Sequence, residues 1–172
     1  IVIGQREFSS NHLPWRMLAK KGYEIRQVPF RGGGLNASDV AAHVDNGTQL
    51  LAFSGVQSST GHRSDIASFS SIARAHGAIV FVDGAQMVGA IPVVNDLEGI
   101  DVLAVPDHKY LLNPARGLGY CYLSPKMQDR FTPTNAGWQA GVIPGESYFG
   151  PDVALSTTAS RFDNSINWLA AV

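Results

Sequence analysis

The sequence is short of several things that would otherwise place it. It holds one cysteine, Cys121, among 172 residues. That excludes an internal disulfide and suits a reducing compartment such as the cytoplasm. Charged residues make up only 16% and the formal net charge is −1. Nothing in that balance favours nucleic acid or an anionic membrane as partner. No apolar run is long enough to span a bilayer, because Asp83 and Gln86 interrupt the best one. No secretory signal is visible. The glycines at 32–34 do not follow the dinucleotide fingerprint and read as a loop. His12, His43, His62 and His76 lack metal-ligand spacing, so no metal site is expected. There is no Gly-x-Ser-x-Gly elbow to suggest a hydrolase.

What the chain does have is a regular alternation of strands and helices. Hydrophobic residues make up 45%, ordinary for a globular protein, and the length fits one domain with a real core. Strands are expected over 1–8, 23–30, 49–56, 78–82, 101–105 and 118–123. Helices are expected over 12–21, closed by Gly22, and over 38–45, capped by Asn36 or Ser38. A further helix follows Ser64 as cap, with Ile66, Phe69, Ile72 and Ala73 at helical spacing and Gly77 as its stop. A short helix spans 125–131. This order predicts an α/β fold, three-layered α/β/α with a mostly parallel sheet. The stretch 132–160 is rich in Gly, Pro, Ser and Thr yet carries Trp138, Tyr148 and Phe149. A long loop with aromatics is more often functional than idle. Cys121, inside an alternating strand, is expected to be buried.

Two stretches carry the chemistry. Phe81-Val82-Asp83-Gly84-Ala85-Gln86 is an apolar strand that stops on a carboxylate. Asp107-His108-Lys109 follows a second apolar strand. Ligands of open α/β sheets sit outside the carboxyl ends of the strands, so Asp83 and Lys109 are expected to face one crevice. An acid and an amine in one pocket suit pyridoxal 5'-phosphate (PLP). The lysine forms a Schiff base with the aldehyde, and the aspartate pairs with the pyridine nitrogen.

Val82-Asp83-Gly84-Ala85-Gln86, with His108-Lys109 and Asn113-Pro114-Ala115-Arg116-Gly117-Leu118-Gly119, resembles class V of the fold-type I PLP enzymes. That group includes cysteine desulfurases, isopenicillin-N-epimerase-like proteins, C–S lyases and kynureninases. The resemblance covers nearly the whole chain and implies an amino-acid substrate, a Lys109 Schiff base and a homodimer. It implies C–S lyase, desulfurase-like or epimerase chemistry, with transamination or a non-catalytic PLP sensor as alternatives. Gln86 is expected to donate to the cofactor's phenolic oxygen, and Ala85 to let the ring lie flat. His108 is expected at the phosphate, Phe8 stacked on the ring, and Ser58 on the cofactor oxygen. Ser165 is expected to reach the neighbouring subunit's phosphate, and Asn11 to contact substrate or cofactor. The plain alternatives are a turn-capping aspartate, a solvated histidine, a core phenylalanine, a surface serine and a helix cap. Two departures stand out. Desulfurases carry histidine where Phe8 stands, and many members carry a hydroxyl residue where Pro106 stands. The desulfurases' catalytic cysteine lies beyond this chain's last residue, so Cys121 is not given that role. Residues 1–172 are expected to be one large PLP-binding domain, truncated at both ends and without the C-terminal small domain.

Overall fold

The computed structural model describes residues 1–114, 118–142 and 154–163. The chain forms two compact units, Ile1–Tyr122 and Leu123–Val172. The sheet comprises β1 (Val2–Gly4), β2 (Arg26–Val28), β3 (Leu50–Ser54), β4 (Ile79–Asp83), β5 (Val102–Pro106) and β6 (Gly119–Leu123). Its order is β2-β1-β3-β4-β5-β6. The pairings β1–β2, β1–β3, β3–β4 and β4–β5 are all parallel. The expected α/β architecture with a mostly parallel sheet is what the chain adopts.

The helices between the strands are α1 (Leu13–Met17), α2 (Ala37–His43) and α3 (Ile66–Ala75). Helix α1 continues into a 3-10 turn at Leu18–Lys21, and Gly22 at φ +89° ends it. Asn36 caps α2 by accepting from the Asp39 N–H at 2.8 Å. The cap of α3 corrects the expectation: it is Asp65, whose carboxylate accepts from the Ser68 N–H at 3.0 Å. Ser64 is buried and its hydroxyl donates to the Ser54 carbonyl at 2.7 Å, so it is not free to cap. Gly77, at φ +71°, stops the chain from continuing the helix.

The core lies between the sheet and these helices. Val80 and Val82 of β4, Leu51 and Phe53 of β3, and Phe69 of α3 are fully buried. Phe53 and Phe69 meet edge to face with centroids 5.1 Å apart, a favoured geometry for two rings. Asp101, just before β5, is buried and accepts from the Val80 N–H at 2.9 Å, which ties the start of β5 to β4. The first two strands are shorter than expected. β1 ends at Gly4 in a turn, and β2 keeps only three residues. Cys121 is another correction: it is exposed. Alternation implies one buried face only where that face has cover, and β6 is an edge strand with Gly119, Tyr120 and Cys121 all exposed.

In the second unit, α4 (Pro125–Arg130) starts with proline at its first position and is capped by Ser124, which accepts from the Met127 N–H. Two 3-10 turns follow, at Trp138–Ala140 and Ala159–Phe162. The Gly137 N–H donates to the Asp163 carbonyl at 3.2 Å, and Arg161 donates to the Gln128 carbonyl. Tyr148, Phe149 and Ser165 lie outside the described residues. Among the described residues no helix is long and apolar enough to cross a membrane.

Candidate active site

Two neighbouring strands set the site. Side chains of β4 alternate between faces. Val80 and Val82 enter the core, while Phe81 and Asp83 line a pocket of about 580 Å³. Asp83 pairs in register with Ala104 of β5, and Ala104 and Pro106 lie on the same pocket wall. His108 and Lys109 follow β5 and reach the same pocket, as do Leu118 to Cys121 leading into β6. The stretch after β1 contributes Phe8, Ser10 and Asn11. The volume suits a cofactor-sized ligand.

The polar groups are few and close. One Asp83 oxygen accepts from the Ala85 N–H at 2.9 Å. Burial pushes the Asp83 carboxyl above its ordinary range; the Ala85 N–H and the Lys109 charge offset only part of that. The Lys109 ammonium stands 5.6 Å from the centre of the Phe8 ring, within cation–π range. Lys109 is half-buried and His108 exposed at the mouth. Gly89, at φ +89°, passes under Tyr110 so closely that a Cβ there would meet the Tyr110 carbonyl oxygen at 2.6 Å. That contact lets the turn after Lys109 settle on the chain leaving β4.

Glu7, which sequence reasoning left unassigned, holds the Phe8 stretch in place. Its carboxylate accepts from the Ser54 N–H at 3.1 Å, the Ser54 hydroxyl, and Asn11 Nδ2 at 3.2 Å. Asn11, buried, accepts in turn from Trp15 Nε1 at 3.1 Å. Trp15 packs edge to face on Phe81, with centroids 5.0 Å apart. The segment leaving β1 is thus fastened to the end of β3 and to the pocket floor. Burial raises the Glu7 pKa, the bonds from Ser54 and Asn11 lower it, and the Asp83 charge raises it further.

The structure therefore brings Asp83, Ala85, His108, Lys109, Phe8 and Asn11 to one pocket. Gln86 is half-buried beside it and is not on the lining. Ser58 is exposed, with its hydroxyl on Gln57 Oε1 at 3.3 Å, and is not on the lining either. Ser165 lies outside the described residues. Phe81, Tyr120 and Cys121 are lining residues that the sequence did not mark. Phe81 could have been found, since it sits two residues before Asp83 on the same strand face.

Fold and pocket define a class: an α/β protein that presents a carboxylate and an amine to one pocket at the carboxyl ends of parallel strands. The chain belongs to the aminotransferase class-V family, whose model matches residues 1–143. It is 32% identical over 138 residues to a probable cysteine desulfurase of Methanothermobacter thermautotrophicus, covering 80% of this chain and 34% of that protein. It is 35% identical over 143 residues to a cysteine desulfurase of Yersinia pseudotuberculosis, covering 82% and 34%. The apo structure of a cysteine desulfurase from Thermococcus onnurineus superposes with a TM-score of 0.83 at 29% identity, over 99% of this chain and 42% of that one. The chain thus spans about a third of the length of the curated relatives it matches.

Proposed function

We propose that the chain is the cofactor-binding part of a PLP enzyme that acts on an amino acid, cleaving a C–S bond in the manner of a desulfurase. The observation that carries this reading is one pocket shared by the Asp83 carboxylate and the Lys109 amine. Family membership and the names of the relatives support the choice of chemistry.

The residues fit the cofactor. Asp83 is a carboxylate destabilised by burial and only partly offset by its neighbours, so a protonated ring nitrogen is a favourable partner for it. Phe81, Ala85 and Ala104 give the pocket apolar walls, the two alanines leaving room near Asp83, and Phe8 offers a ring face. When bound, PLP draws electrons away from the substrate carbon. Lys109 would hold the cofactor and would hold and move a proton at the substrate Cα. Asp83 would keep the ring nitrogen protonated. Phe8 has no titratable atom, so a proton for the leaving sulfur would come from another group. His108, on the pocket lining, offers a ring N–H to an anion. Gln86 and Ser58 are not on the pocket lining and carry no role in this reading.

The substrate in this reading is cysteine or a related sulfur amino acid. The protein acts as a homodimer in the cytoplasm, in keeping with the exposed Tyr110, Leu112 and Tyr120 and the free Cys121. Incubating the PLP-loaded protein with a panel of amino acids tests the assignment. Sulfur release from a sulfur amino acid is expected. Keto-acid formation without sulfur release would replace it with transamination, and cofactor binding without any turnover with a sensor.

A further inference from the structure

Asp107 lies between the last residue of β5 and His108-Lys109. The residue is 1% exposed. One oxygen, Oδ2, accepts from Asn113 Nδ2 at 2.7 Å. The backbone closes the same loop: the Asn113 N–H donates to the Asp107 carbonyl at 3.2 Å, and the Leu112 N–H to the Lys109 carbonyl at 3.1 Å. The other oxygen, Oδ1, is buried and accepts no hydrogen bond among the described residues. A buried carboxylate oxygen without a donor is costly and rare. His108 Nδ1 stands 4.0 Å from it. That is too long for a hydrogen bond, yet a small rotation of the ring closes it.

The pocket side supplies the second half. Among the described lining residues only His108 and Lys109 can carry positive charge. On the PLP reading above, Lys109 is committed to the cofactor's aldehyde. Pro106, on the same wall, has neither a hydroxyl nor an N–H to offer an anion. The Ser10 and Tyr120 hydroxyls also line the pocket, and His108 is the remaining lining group that can both donate to a phosphate and carry charge. An imidazole donates to an anion on one side most firmly when a carboxylate takes its other N–H.

We propose that Asp107 is a positioning residue: its free oxygen takes the Nδ1–H of His108, so that the Nε2–H is presented to the phosphate of the cofactor. The buried anion then contributes to phosphate binding through the histidine. Without that coupling it would only repel the phosphate. This inference rests on the PLP reading, and the two separate experimentally.

The test compares equilibrium binding of PLP and of pyridoxal, which lacks the phosphate, to the purified protein. The proteins are wild type, Asp107→Ala, His108→Ala and the double variant. Asp107→Ala is expected to weaken PLP roughly ten- to a hundred-fold, the worth of a hydrogen bond to a charged group, and to leave pyridoxal unchanged. The double variant is expected to be no weaker than His108→Ala, because both act through one contact. Asp107→Asn, which keeps the shape and the Asn113 contact, guards against misfolding and should show part of the same phosphate-specific loss. Equal losses for both ligands would reduce Asp107 to a clasp of the loop and overturn the proposal. So would additive losses, or PLP binding that is unchanged or tighter in either Asp107 variant. Wild type that binds neither ligand would overturn the PLP reading itself.

Discussion

Asp83 closes β4 and Asp107 follows β5 by one residue, yet the two carboxylates face different surroundings. Asp83 lines the pocket, holds the Ala85 N–H and feels the Lys109 charge. Asp107 is absent from the lining, nearly inaccessible, and bonded to Asn113 through one oxygen. Position relative to the strand accounts for the difference. Asp83 is the last residue of β4 and pairs with Ala104. Asp107 lies just beyond β5, in a turn that Asn113 closes through both its N–H and its side chain. The same residue type at two strand ends thus lines the pocket in one place and is buried behind the His108-Lys109 turn in the other.

Four substitutions sharpen or break that contrast. The largest effect is expected at Asp83. Asp83→Asn keeps the shape and removes the charge, so turnover should fall by roughly two orders of magnitude or more, with cofactor binding partly retained. Asp107→Asn should change cofactor affinity and leave kcat at saturating PLP nearly as it was. Steady-state kinetics on both variants checks this, and equal kcat losses would erase the distinction between the two strand ends.

The next effect is structural. Gly89→Ala forces a Cβ to within 2.6 Å of the Tyr110 carbonyl oxygen, at a φ of +89°. We expect destabilisation of about 1–3 kcal/mol, together with weaker cofactor attachment, because Tyr110 adjoins Lys109. Denaturant unfolding and PLP titration measure the two parts. Full stability in Gly89→Ala would show that the turn behind Lys109 is not held by this contact.

The smallest effect concerns Glu7. Burial holds its carboxyl above the ordinary glutamate range. From that ordinary range up to the raised value, the folded chain binds more protons than the unfolded one. Stability therefore falls as pH rises through that window and levels off above it. Glu7→Gln should flatten the slope, leaving the part that Asp83 contributes by the same sign. Unfolding free energies across the acidic range check this, and a slope unchanged in Glu7→Gln would place the proton elsewhere.

The sequence made one half of the contrast legible and hid the other. A buried parallel strand reads as an apolar run, so a carboxylate at its end stands out, and Lys109 after the next run completes the pair. The fate of Asp107 depends on Asn113 folding back six residues later and on which face the strand end presents. No local pattern announces either. Glu7 was hidden for a similar reason: its partner Ser54 comes from another strand, and only the packing of the segment after β1 brings them together. Cys121 misled because alternation was taken to mean a covered face, whereas β6 lies at the sheet edge. Ser64 misled because the helix starts one residue later: Asp65 holds the cap position and accepts from the Ser68 N–H, while Ser64 donates to the Ser54 carbonyl.

The central claim is that the lysine beyond β5, set against Asp83 in one pocket, carries the cofactor. Reducing the PLP-loaded protein with borohydride and mapping the modified peptide tests it most directly. The account predicts a stable cofactor adduct on Lys109, lost in Lys109→Ala. An adduct on Lys20, Lys21 or Lys126 instead would contradict it.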